Sequence, residues 1–266
     1  MTRSAWRQLT LGFPDPHQAE STATAQLAPV MATAETRQLI TAWFFVRKGT
    51  RWRLRYSTTS AADSYLIDRL TRLRRTGHLT EIIRGIYEPE LHAFGGASGM
   101  DAAHRLWHMD SRNILIASPG RRRELSIVMC AAMMRAAGLD WYEQGDVWAR
   151  AAEHRDPTGL VPSLQASVQR LMTVDPDSLT HNDAPLTAAR AWIEAFNSAG
   201  AALGLLHEKG RLQRGLREIL THHVLFAWNR RGLSNPEQAA LAVAAKTVVF
   251  GADPRVTAPA GSEATS

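Results

Sequence analysis

Two β-rich runs, Ile40 to Arg47 and Arg51 to Ser57, flank Lys48-Gly49-Thr50, a composition that predicts a hairpin with a glycine turn. In the second run Trp52, Leu54 and Tyr56 alternate with Arg51, Arg53 and Arg55, so one face of the strand packs and the other presents guanidinium groups. From Ala61 to Arg75 the period lengthens. Tyr65, Leu66, Leu70 and Leu73 recur at helical spacing and Gly77 is a stop signal. Thr80 to Tyr87 then reads as another strand.

Downstream the pattern is helical. Ala103 to Ala117, Arg123 to Ala137, Asp140 to Ala152, Leu186 to Leu206 and Leu212 to Ala227 all carry apolar residues three and four apart. Asn235 followed by Pro236 has the form of an N-cap with proline at the first helical position, opening a last helix to about Val249. Asp156 to Pro185, rich in Pro, Asp, Ser and Thr, reads as a linker with one short helix around Leu164 to Met172. Residues 1–33 and 253–266 show no sustained period and are expected to be weakly ordered, which leaves one domain over 34–252. The fold class that follows is α+β: an N-terminal mixed β-sheet with helices, then a mostly helical C-terminal half, in a single compact domain.

The length of 266 residues, with 45% hydrophobic and 21% charged residues, fits one ordinary globular unit. Every long apolar run is broken by Arg, Asp or His, and the first residues lack a secretory signal pattern, so the expectation is a cytoplasmic protein without a membrane span. The net charge of +6 suits an acidic partner. Arginine is spread along the chain and no nucleic-acid motif occurs, which favours an anionic peptide over nucleic acid.

The single cysteine, Cys130, lies in the apolar run IVMCAAMM and reads as a buried thiol with no disulfide or metal role. Gly95-Gly96-Ala97-Ser98-Gly99 lacks the Lys-Ser/Thr of a phosphate loop and the spacing of a dinucleotide fingerprint; it reads as a turn into the next helix. His104 and His108 stand four apart on one helix, but without a metalloprotease pattern we predict no metal. His222 and His223 point about 100° apart on a helix, so they cannot both face one site. No nucleophile elbow, Cys/His pair or kinase signature is present. From the residues alone, the reading stops at a basic α+β domain with an arginine-bearing strand.

The order WFFVRK, WRLRY, YEPELHAFGG and MDSRNIL, followed by RGLREILTHHVLFAWNRRGLS, resembles the C-terminal elimination domain of the class I lanthipeptide dehydratases and the related thiopeptide-type bacteriocin biosynthesis domains. The likeness covers Trp43 to Arg155 and Gly210 to Gly251. In that family two arginines and a histidine assist loss of glutamate from glutamylated Ser and Thr. Residue by residue, the first arginine falls on Arg55, with Arg53 also kept. The second falls on Ala93, and the histidine on Leu225. Elimination needs a base for the α-proton and cationic donors for the leaving carboxylate, which Leu and Ala do not supply.

A stand-alone domain with these departures resembles the thiopeptide pyridine synthases, which join two dehydroalanines in a formal aza-[4+2] cycloaddition with loss of water and leader peptide. The resemblance implies a precursor peptide (leader plus dehydrated core) as partner, contact with other enzymes of the same pathway, and no cofactor, because the chemistry is redox-neutral. It implies His92, Tyr142, His223 and Tyr87 as candidate proton carriers, and Arg53, Arg55, Glu90, Asn229 and Arg230 as candidate substrate contacts. Glutamate elimination with a separate partner, and non-catalytic leader binding, are the alternative readings.

Overall fold

The computed structural model describes residues 5–58, 62–116, 122–156, 162–180 and 187–251. Four strands form one antiparallel sheet: β1 (Ala5–Gly12), β2 (Ile40–Lys48), β3 (Arg51–Thr58) and β4 (Glu81–Gly85), in the order β2-β3-β1-β4. The hairpin appears as the sequence predicts, with Gly49 at φ 58° in its turn, a conformation glycine adopts without steric cost.

The N-terminal segment departs from its expected weak order. Residues 5–12 form a central strand: Leu9 faces Leu54 on one side and Arg84 on the other, and Leu11 faces Trp52 and Ile82. Its alternation of Leu9 and Leu11 with Gln8 and Thr10 is the period-two signal, short enough to be missed beside a Pro-containing stretch. Next, α1 (Ala19–Thr22) runs through a π-helical turn (Ala23–Leu27) into α2 (Ala28–Thr36). The proposed tail, 253–266, lies outside the described residues.

One face of the sheet, carrying Leu9, Leu11, Phe45, Trp52, Leu54 and Tyr56, is buried. The helical segment 19–36 and α3 (Ala62–Arg75) lie against it, with Arg47 paired to Glu20 and the Tyr56 hydroxyl donating to Asp63 at 2.6 Å. Register puts Gln8, Thr10, Phe44, Arg53 and Arg55 on the opposite face.

That second face is walled at one edge by α4 (Ala97–Ile116). The Trp43 N–H donates to His108 Nδ1 at 3.2 Å and the Phe45 N–H to Ser111 Oγ at 3.2 Å, so helix side chains satisfy the outer edge of β2. Behind α4 stand α5 (Arg122–Ala136), α6 (Trp141–Glu153), α7 (Pro162–Thr173), α8 (Pro176–Thr180), α9 (Arg190–Glu208), α10 (Leu216–Arg231) and α11 (Asn235–Phe250). Their starts follow capping chemistry. Asp140 and Ser234 each close a capping box with a glutamate three residues on, so the last helix is capped by Ser234, one residue before the predicted Asn235. Where α5 and α9 cross, a Cβ on Gly200 would lie 2.1 Å from the Met133 carbonyl oxygen, so glycine there sets the close approach of the two helices.

Sheet and helices share one continuous hydrophobic core, and the chain is a single compact α+β domain with its sheet at the N-terminal end. No helix among the described residues is long and apolar enough to cross a membrane.

Candidate functional site

Arg55 is the centre of the arginine face. Its alternation with buried neighbours predicts a solvated guanidinium, yet the residue is 5% exposed. Gln8, directly opposite on β1, accepts from Arg55 Nε at 2.8 Å, and the guanidinium lies 4.3 Å from the centre of the Tyr87 ring. Arg55 Nη1 has no hydrogen-bond partner, and no carboxylate pairs with Arg55 among the described residues. Burial pushes its pKa below the ordinary arginine value, while Tyr87 and Glu90 pull it back up. A buried cation held by aromatic faces rather than by a counter-ion is an unfinished site: a polar or anionic group of a bound molecule would complete it.

Tyr87 continues the site. Its hydroxyl lies 2.8 Å from His104 Nε2, and burial raises its pKa well above the usual tyrosine range. Burial and the Arg55 charge lower the His104 pKa to about 4, so the imidazole is neutral near pH 7. Trp6 covers the pair, 4.3 Å from the His104 ring and 5.9 Å from the Tyr87 ring, and Phe44 closes the floor at 5.8 Å from His104. By its spacing His104 suggests only a metal ligand, and Trp6 and Gln8 fall in a stretch with no sustained period. No cluster of metal-ligating residues forms among the described residues.

The loop from Ile86 to Gly96 forms one lip. Glu90 and His92 are exposed on it, and Leu91 is 46% exposed. Gly95 and Gly96 sit at φ 79° and 93°, and the Gly96 N–H donates to the Leu91 carbonyl at 2.7 Å, so the turn needs glycine and feeds directly into α4. Phe94 anchors the loop, packing at 4.8 Å from Trp107, 5.0 Å from His223 and 5.1 Å from Phe226.

The remaining sequence candidates separate from this cluster. His223 is fully buried behind Phe94, with neither ring nitrogen hydrogen-bonded, and burial lowers its pKa to about 3; it cannot meet a substrate. Arg230 is also fully buried, bonded through Nε to Asp110 at 2.6 Å, and Arg231 reaches the same carboxylate at 3.0 Å. Asn229 accepts from Gln238 at 3.0 Å and ties α10 to α11. Tyr142 is 67% exposed at the start of α6, stacked against Phe250 of α11. These four belong to the helical half. Tyr87, Arg53, Arg55 and Glu90 fall together at the sheet face, and His92 is exposed further along the lip. Arg53, half-buried, stands opposite Thr10, one step along from Arg55. Leu225, where the resemblance places the elimination histidine, is 7% exposed and apolar.

A small antiparallel sheet, its arginine face walled by one helix, is joined to a mostly helical half. The sequence model described as "Lantibiotic biosynthesis dehydratase C-term" matches residues 6–249, and the chain belongs to that family, whose place is in the biosynthesis of ribosomally made, modified peptides. Solved structures share the fold, among them the three that follow. The tRNA-dependent lantibiotic dehydratase MibB from Microbispora sp. 107891 superposes with a TM-score of 0.63 at 20% identity, over 94% of this chain and 28% of MibB. TsrL matches with a TM-score of 0.61 at 17% identity, over 92% of this chain and 94% of its own. The pyridine synthase TbtD from thiomuracin biosynthesis matches with a TM-score of 0.60 at 15% identity, over 92% of this chain and 97% of its own. This chain therefore spans just over a quarter of MibB and nearly all of the other two. No curated protein sequence matches it.

Proposed function

We propose that this domain is a pyridine synthase-like cyclase acting on a dehydrated precursor peptide. The backbone amide beside one dehydroalanine, as its imidic acid tautomer, supplies a two-aza diene; the second dehydroalanine supplies the alkene. Two σ-bonds close a six-membered ring bearing a hydroxyl. Loss of water and then of the leader as a carboxamide aromatises it, with no change in oxidation state overall.

The observation that supports this reading is the buried Arg55 guanidinium, with no carboxylate partner among the described residues, lying over a tyrosine that is hydrogen-bonded to a neutral histidine. Arg55, with Arg53 beside it, holds the imidic oxygen and fixes the diene. Orientation of this kind supplies about 7–11 kcal/mol in favourable cases. When His104 carries its proton on Nε2, it donates to the Tyr87 oxygen and frees the phenolic hydrogen for the departing hydroxyl. His92 and Glu90, on the lip, contact the peptide as it enters. Leu225 and Ala93 are apolar at the two positions where the family's elimination histidine and second arginine stand, which disfavours removal of glutamate.

The test is incubation with a leader-bearing peptide containing two dehydroalanines, followed by mass spectrometry. Release of a leader carboxamide with a core lacking one water is the expected result. Loss of glutamate from a glutamylated peptide instead would make the domain an elimination enzyme, and binding without turnover would make it a peptide-holding subunit.

A further inference from the structure

Arg55 belongs to one row that crosses the whole sheet. In strand register it lies between Phe44 of β2 and Gln8 of β1, and Gln8 in turn lies opposite Gly85 of β4, so all four positions share the arginine face. The usual stabilising partner directly opposite a buried arginine is a carboxylate, because opposite charges on facing strands attract and a bidentate pair adds two charge-assisted bonds. Here that position holds an uncharged amide. Gln8 Oε1 accepts from Arg55 Nε at 2.8 Å, and the Phe44 and Tyr87 ring centres lie 5.5 and 4.3 Å from the central guanidinium carbon. These contacts fix the orientation of the group without cancelling its charge, and Nη1 makes no hydrogen bond. Gly85 makes the arrangement possible. Its φ is not in the left-handed region, so what glycine supplies is room: a Cβ there would lie 2.9 Å from Gln8 Nε2, closer than side chains tolerate. Glycine inside a strand weakens it, and a neutral partner forgoes an ion pair. Two local losses of stability at one spot are the mark of a functional site.

We propose that Gln8 is a positioning residue for the Arg55 site: held over Gly85, it orients the guanidinium and, being uncharged, leaves the positive charge for a substrate oxygen on which negative charge collects; this rests on the function proposed above. In that reaction the amide nitrogen gives up a proton and the amide oxygen takes one up. Between the two transfers the group is an imidate, with much of its charge on oxygen. An uncompensated cation stabilises the imidate more than the neutral amide of the bound peptide, so Gln8 acts on the chemical step more than on binding. A carboxylate at this position would pair with Arg55 first and spend that advantage. Glu90, whose charge Arg55 also feels, is exposed on the lip and forms no ion pair with it among the described residues. The selectivity of the site therefore depends on the amide at position 8, which no substrate atom needs to touch.

The test pairs a titration that needs no turnover with steady-state kinetics. Acetate has the planar shape and the charge of an imidate, and the Arg55 Nε–H resonance in protein carrying isotope-labelled arginine, assigned by its loss in Arg55→Gln, reports its arrival at constant ionic strength. Acetate is expected to shift this resonance saturably in the parent chain. In Gln8→Glu the new carboxylate already pairs with the guanidinium, so acetate leaves the resonance unmoved, with Tm at or above that of the parent. On the two-dehydroalanine peptide Gln8→Glu is expected to lower kcat by about 10²-fold while KM changes by less than about threefold. Gly85→Ala pushes the Gln8 amide aside without adding charge: acetate still binds, the Nε–H exchanges faster with solvent, and kcat falls by about tenfold. A parent chain that acetate leaves unmoved, a Gln8→Glu chain that acetate shifts as it shifts the parent, or an unchanged kcat in Gln8→Glu would overturn the proposal. The acetate pattern in a chain that never turns the peptide over keeps the role of Gln8 and removes the cyclase. Turnover by Gln8→Glu at the parent's kcat keeps the cyclase and removes the role of Gln8.

Discussion

Arg55 and the Arg230–Arg231 pair are all buried arginines beside aromatic rings, and both motifs that contain them, WRLR and WNRR, stand out in the sequence. Their surroundings divide them. Arg230 and Arg231 share the buried carboxylate of Asp110, which also accepts from the Trp192 indole at 2.8 Å, so each has an internal counter-ion even though Arg230 Nη1 and Nη2, like Arg55 Nη1, make no hydrogen bond. Arg55 has a glutamine, two aromatic faces and no carboxylate partner among the described residues. A cation paired with a buried carboxylate holds helices together; Arg55, which feels Glu90 and Tyr87 but is ion-paired with neither, is left in the proposed function to hold substrate.

The histidines divide in the same way. His223 is sealed behind Phe94 with both ring nitrogens unbonded, whereas His104 is bonded to the Tyr87 hydroxyl. Both are neutral near pH 7, but only His104 backs a group that can pass a proton.

Substitutions sharpen the contrast. Tyr87→Phe keeps the ring under Arg55 and removes the hydroxyl. It is expected to lower kcat on the two-dehydroalanine peptide by about 10²–10⁴-fold, the usual worth of a positioned acid, with Tm nearly unchanged. Asp110→Ala does the opposite. Removing the carboxylate from two buried arginines is expected to cost about 3–5 kcal/mol in urea unfolding, with the turnover per folded molecule retained. Loss of activity without loss of stability in this variant would break the distinction between the two regions.

Stability is also expected to depend on pH. The folded chain binds a proton at His104 and His223 only near pH 4 and 3, whereas the unfolded chain does so near 6.5. Below 6.5 the unfolded state therefore gains protons that the folded state refuses. Stability is fully present above pH 6.5 and falls as the pH drops toward 3–4, by about 1.4 kcal/mol per pH unit for each such group. His223→Leu is expected to flatten part of this slope in a series of Tm measurements, and an unchanged slope would mean that His223 is not buried as a neutral ring.

Much of the fold is legible in the sequence because its signals are local. The Lys48-Gly49-Thr50 turn fixes the hairpin, and the apolar spacing in α5, α6 and α9 is read within a few turns of helix. β1 is less so, since Leu9 finds its partners, Leu54 and Arg84, far along the chain and the strand has little to declare it alone. The same non-locality hides Trp6 and Gln8 from the candidate site. The arginine alternation in β3 is plain, but burial of Arg55 depends on Trp6, Phe44 and Tyr87 converging from three other segments. On α10 the unbroken run Val224 to Trp228 is apolar on every side of the helix, which marks a buried stretch; that pattern, set beside the histidine and arginines, argues for packing over contact with substrate.

The central claim is that Arg55 grips the reacting peptide, and the most direct measurement is single-turnover cyclisation by Arg55→Gln at saturating two-dehydroalanine peptide. Removing one preorganised donor to a developing charge is expected to slow the chemical step by about 10²–10³-fold, with Tm within a few degrees of the parent chain. A rate equal to that of the parent would place the chemistry elsewhere and contradict the account.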